Sequence, residues 1–191
     1  LVGVIYGITR PTEGDNGIYR VCTLGSQINY DSTVCQNPES LLWERERFPL
    51  RVSTGANQAD SDLTSAISII NFQVGCEVFI FDGSIPIEQA DVSINPYGTM
   101  DVELEAFGGS TSHFLDAEWN LRARVEILGV SNPNMRQRVF VHELGHVLGL
   151  MHDDFEASIM FPTQAQTRNI QFIQFTSGDR KLLRELYCET E

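Results

Sequence analysis

The chain is 191 residues long, 42% hydrophobic and 20% charged, with a formal net charge of −13 at pH 7. That length suits one domain with a sizeable core, and the negative charge argues against nucleic acid or an anionic membrane surface as a partner. No apolar run reaches the length needed to span a bilayer, and the stretch from Leu1 to Ile8 is too short and lacks the basic flank of an export signal.

Residues 1–42 are rich in turn formers (Pro11, Gly14, Asp15, Asn16, Gly17, Asn37, Pro38) with short β-like pieces between them. They are expected to form an N-terminal flank packed on the domain, not a domain of their own. Because the chain begins without Met, it reads as a mature or trimmed form. From Trp43 the pattern is more regular. Phe48 to Ser53 predicts a strand. Asp60 or Ser61 then caps a helix with apolar residues Leu63, Ala66, Ile67, Ile70 and Val74 at helical spacing. Cys76 to Phe81, Ala90 to Ile94, Met100 to Phe107 and Leu121 to Leu128 predict further strands. The last alternates Ala123, Val125 and Ile127 against Arg122, Arg124 and Glu126. Asn132-Pro133 opens a helix from about Asn134 to Leu148. Thr176 with Asp179 resembles a capping box and starts a closing helix with Leu182, Leu183, Leu186 and Tyr187 as its apolar stripe. The order of elements implies an α/β (α+β) arrangement, a sheet backed by helices.

Four cysteines, Cys22, Cys35, Cys76 and Cys188, are widely spaced and contain no C-x-x-C pair, which argues against a thiolate zinc site. Their even number suits two disulfides in an exported, extracellular protein, and four free buried thiols are the alternative. Cys22 and Cys35 are close in sequence across a turn-rich stretch and are expected to pair, leaving Cys76 for Cys188.

The chemistry is concentrated in His142-Glu143-Leu144-Gly145-His146-Val147-Leu148-Gly149-Leu150-Met151-His152-Asp153. Residues four apart share one helix face, so His142 and His146 can present two imidazoles to one ion. Glu143 is placed to reach a water on that ion without ligating it. Gly149 stands where the helix ends and tolerates the left-handed turn that returns His152 as a third ligand. Three protein ligands and one open position characterise a catalytic zinc site, not a structural one.

This pattern, H-E-x-x-H-x-x-G-x-x-H, resembles the zinc motif of the metzincin metallopeptidases. Ser158-Ile159-Met160-Phe161-Pro162 is similar to their methionine-bearing turn. The spacing from His152 to Met160, and the tail from Phe175 to Tyr187, are similar to the matrixin (matrix metalloproteinase-like) branch, and the region from Trp43 to Phe81 resembles a bacterial-type matrixin domain. The resemblance implies a catalytic domain over 43–191, with an upper part 43–149 and a lower part 150–191 and a cleft between them. It implies a zinc-dependent endopeptidase acting on proteins or peptides, a monomer, with His142, His146 and His152 on one catalytic zinc ion and Glu143 as general base and acid. Met160 would form a hydrophobic floor, and Phe161 to Arg168 a wall of the substrate pocket.

The chain departs from the matrixin pattern in places. Asp153 follows the third histidine where matrixins carry serine, no tyrosine stands two residues after Met160, and the cysteine-switch motif is missing. The stretch from His113 to Trp119 is only faintly similar to the matrixin loop for structural zinc and calcium, so structural calcium or a second zinc ion is possible but unsupported, and a lone, partly exposed histidine is the simpler reading of His113. Glu13-Gly14-Asp15 reads as a plain turn. Two other classes fit the same motif: a silent zinc-binding module, which has no need of Glu143, and a zinc hydrolase of a non-peptide bond, against which the methionine turn weighs.

Overall fold

The computed structural model describes residues 43–56, 60–98, 108–117, 120–128, 133–150, 152, 157–161 and 173–188. Within them, five strands form one mixed sheet: β1 (Leu50–Ser53), β2 (Phe79–Phe81), β3 (Val92–Gly98), β4 (Gly108–Leu115) and β5 (Leu121–Leu128), in the order β2-β1-β3-β5-β4. The first four in that order run parallel, and β4 pairs antiparallel with β5 at the edge. Three α-helices, α1 (Ser61–Val74), α2 (Pro133–Val147) and α3 (Ser177–Tyr187), and two short 3-10 turns, Arg45–Arg47 and Ile87–Gln89, complete the described fold.

The predicted alternation of the strand from Leu121 to Leu128 holds residue for residue. Ala123, Val125 and Ile127 are buried, Arg124 is exposed and Glu126 half-buried. On β1, Leu50 and Val52 are buried and Arg51 is exposed. The sheet therefore carries α1 and α2 on its apolar face and charged side chains on the other, a two-layer arrangement. The five apolar positions expected of the first helix, Leu63, Ala66, Ile67, Ile70 and Val74, are the five that α1 buries. Its N-cap is Asp60, whose carboxylate accepts from the backbone N–H of Asp62 at 2.8 Å, and Gly75 closes it at φ 91°.

Some expectations need correction. The strand expected from Cys76 begins only at Phe79. Asn71 Oδ1 accepts from the amides of Val78 and Phe79, both at 3.1 Å, so a helix side chain holds the approach to the strand. Cys76 lies ahead of it, bonded to Cys188. Leu182, assigned to the apolar stripe of the last helix, is 47% exposed, whereas Leu183 and Tyr187 are buried. Positions one apart on a helix are about 100° apart, and Leu182 falls outside the buried arc. β4 was not expected at all: Gly108-Gly109-Ser110-Thr111-Ser112 has the composition of a loop, and cross-strand pairing with β5 overrides it. The strand expected from Met100 to Phe107 and the flank 1–42, with Cys22 and Cys35 and the Glu13-Gly14-Asp15 turn, lie outside the described residues.

The closing helix is placed by several hydrogen bonds. Thr176 and Asp179 form the predicted capping box. The Arg184 guanidinium donates to the carbonyl of Val74 at 2.9 Å, and the Tyr187 hydroxyl to that of Leu148, also at 2.9 Å. The disulfide joins Cys76, just after α1, to Cys188, just after α3, across 112 residues of sequence, as the sequence pairing expects.

Where β1, β3 and β5 begin, the buried Asp91 gathers cations. Its Oδ1 meets Arg47 and, at 3.2 Å, Arg122, and its Oδ2 accepts from the backbone N–H of Arg51 at 2.9 Å. Removing one member of such a cluster leaves the others desolvated and unpaired. Asp91→Ala is expected to lower the unfolding free energy by about 3 kcal/mol, the lower end for buried pairs because the arginines keep some water contact. Urea titration followed by tryptophan fluorescence would measure it, and a loss under about 1 kcal/mol would show the cluster to be an ordinary surface network.

Candidate active site

The site is assembled from three local structures, the active-site helix α2, the turn that ends it, and the turn carrying Met160. Residues Val139 to Leu144 of α2 are buried almost all round, including His142 and Glu143. The helix stops at Gly149, whose φ is 90° and whose N–H donates to the carbonyl of His146 at 2.9 Å, while the N–H of Leu150 donates to Gly145 at 3.0 Å. This is the left-handed exit expected of the glycine. The carbonyls left over at the helix end are taken up by side chains. Val147 accepts from the Trp43 indole N–H at 2.8 Å and lies 3.2 Å from Nε2 of His113, and Leu148 accepts from Tyr187.

The exit turn also brings His152 back. The Nε2 atoms of His142, His146 and His152 lie 3.1–3.2 Å from one another. A proton count shows what this cluster is built for. Nδ1 of His142 faces the carbonyl of Ile159 at 2.6 Å, and Nδ1 of His146 faces that of Leu150 at 2.7 Å. A carbonyl only accepts, so each Nδ1 carries the hydrogen and each of these two Nε2 atoms is left with a lone pair. Lone pairs aimed at one another repel, and a cation at their focus resolves the conflict. Tetrahedral zinc with nitrogen ligands at about 2.0–2.1 Å needs those nitrogens roughly 3.3 Å apart, close to the spacing found. Burial, and then the proximity of the His142 ring, push the His146 ring down to about 3, so it stays neutral, as metal ligation would require. Among the described residues this is the only group of three or more His, Cys, Asp or Glu side chains that could hold a metal ion. The donor set fits zinc.

The turn beneath the histidines has matching detail. Ser158 Oγ accepts from the N–H of Met160 at 3.0 Å, and the carbonyl of Ile159 is the one that orients His142. Met160 is fully buried. A Cβ on Gly145 would lie 2.6 Å from the Met160 sulfur and 3.0 Å from the Phe175 ring, so only glycine lets α2 settle this closely on the turn.

Glu143 points away from this floor, toward β4. Its Oε2 is 2.6 Å from the Thr111 hydroxyl, which also lies 3.0 Å from the Glu143 carbonyl. Among the described residues the carboxylate has no ion-pair partner. Burial pushes it up to about 7, against the lowering effect of the Thr111 hydrogen bond. Neither Thr111 nor Gly109, which also abuts Glu143, was singled out in the sequence. The usable signal was the period-two row Gly109, Thr111, His113 hidden in a Gly/Ser-rich stretch. His113, considered for a structural metal, instead turns its ring to the Val147 carbonyl, and burial holds its pKa below the usual histidine value. Asp153 and 162–170, with Thr163, Gln164 and Gln166 of the expected pocket wall, lie outside the described residues.

Comparison with curated proteins finds no match. The matrixin family model matches residues 89–188, just over half of the chain, in one stretch that takes in β3, β4 and β5, the active-site helix, the methionine turn and the closing helix. Sheet, helix and turn are thus matched in the order in which the structure uses them, and the chain belongs to the matrixin family of zinc metalloendopeptidases.

Proposed function

We propose that this protein cuts peptide bonds within protein substrates, with His142, His146 and His152 holding the zinc ion and Glu143 as general base and then general acid. The observation that carries the reading is a buried carboxylate, without an ion-pair partner among the described residues, on the same helix as two of the three clustered imidazoles. Burying such a group costs stability, and a purely structural metal site has no use for it. When bound, zinc supplies a Lewis acid and brings the pKa of its water from about 15.7 to about 7. The backbone carbonyls of Ile159 and Leu150 keep His142 and His146 in the ligating tautomer. Glu143 takes the proton of the attacking water and delivers it to the nitrogen of the leaving amine.

The substrate chain is proposed to lie extended in a cleft between the part ending at Gly149 and the part after it, paired with the β4 edge of the sheet. The disulfide between half-buried Cys76 and buried Cys188 supports an oxidising, extracellular setting. In the described residues no helix is long and apolar enough to cross a membrane.

The test is to incubate the zinc-loaded protein with an unfolded protein and identify the new termini by mass spectrometry. Internal cuts that stop on chelation and resume on adding zinc are the expected result. An intact substrate, or trimming from one end only, would overturn the endopeptidase reading.

A further inference from the structure

Strand β4 meets the active-site helix through one row of side chains. Alternation puts Gly109, Thr111 and His113 on the face turned toward α2, and each engages it at a different level. His113 reaches the Val147 carbonyl at the helix end. Thr111 reaches Oε2 of Glu143 at 2.6 Å. At Gly109 the strand backbone itself stands against the glutamate, since a Cβ there would lie 2.6 Å from its Cγ and 2.9 Å from its Cδ and Oε1. A glutamate has several rotatable bonds, and transfer of a proton between water and amine depends on one orientation of its carboxylate.

We propose that Thr111 is a positioning residue for peptide hydrolysis: its hydroxyl donates to Oε2 of Glu143 and, with the bare backbone of Gly109, holds the carboxylate so that Oε1 exchanges the proton. This rests on the reading of Glu143 as general base. Thr111 acts through the glutamate and touches no reacting atom. The hydroxyl has one hydrogen and two acceptors in reach, and the shorter, charged one takes it. Gly109 supplies the complementary restraint, because any side chain there would push Glu143 out of the place that Thr111 defines.

The experiment compares wild type with Thr111→Val, Thr111→Ser, Gly109→Ala and Glu143→Ala, measuring kcat and KM on a quenched fluorescent peptide, zinc content and melting temperature. Thr111→Val keeps the branched shape and loses the donor. It is expected to lower kcat by about 10- to 100-fold, the range for a hydrogen bond to a charged group, with zinc retained and KM changed little. Thr111→Ser keeps the donor and should recover most of that loss. Gly109→Ala should lower kcat by roughly tenfold or more with zinc retained, and it provides a separate check if Thr111→Val does not fold. Equal damage in Thr111→Val and Thr111→Ser would assign the effect to packing and overturn the proposal. So would wild-type kcat in Thr111→Val, or in Gly109→Ala, while Glu143→Ala is inactive. An active Glu143→Ala enzyme would instead overturn the general-base reading, and the positioning role with it.

Discussion

Glu143→Ala is expected to keep its zinc and its fold and to lose about 10²–10⁴ in kcat, the usual contribution of a general acid–base group. His142 and His146 are held by backbone carbonyls and His152 is returned by the helix exit, while the Glu143 side chain reaches toward Thr111 on β4. Truncating the glutamate therefore leaves the ligand cluster standing. It also removes a carboxylate whose burial costs stability, so the melting temperature should hold or rise slightly. His146→Ala is the contrasting variant. It takes away one of the three clustered imidazoles proposed to hold zinc, so zinc binding itself should weaken, and activity should fall together with metal content. Zinc content by mass spectrometry, measured beside cleavage of an unfolded protein, separates the two cases. Full activity in zinc-loaded Glu143→Ala would remove the carboxylate from the mechanism.

Opening the disulfide between Cys76 and Cys188 is expected to lower stability by about 4–5 kcal/mol, because it closes a loop of more than a hundred residues and restricts the unfolded chain accordingly. For a domain of this size each kcal/mol moves the melting temperature by roughly 2–4 °C, so a fall of roughly 8–20 °C is predicted for Cys76→Ala with Cys188→Ala. The folded site should change little. The closing helix stays docked through Arg184 on the Val74 carbonyl and Tyr187 on the Leu148 carbonyl, and the latter bond reaches the end of the active-site helix. At temperatures where the double variant is still folded, its kcat should match wild type. Melts by circular dichroism with and without the cysteines test the first statement and peptide cleavage the second. A melting temperature within about 2 °C of wild type would show that the bond adds no net constraint.

The sequence alone determined the parts of this protein whose signal is local and periodic. The buried positions of α1 follow from 3.6-residue spacing, those of β5 from strict alternation, and the cap of α3 from Thr176 and Asp179 standing three apart. The histidine cluster was legible for the same reason. Two histidines one helical turn apart, a glycine at the exit and a third histidine just beyond it are all short-range geometry, and the structure brings them together. Only the tertiary structure decided β4. Its Gly/Ser-rich sequence has weak intrinsic preference, and its conformation comes from pairing with β5 and packing under α2. Thr111 and Gly109 were hard to single out for that reason, since the period-two row they share with His113 does not announce that a glutamate more than thirty positions along the chain will lie against it. The same holds for Leu182, because a helix stripe marks a direction in sequence while its width is set by what packs against it. Short-range spacing is written into the chain; which distant surfaces meet is settled when strand and helix are brought together in the packed fold.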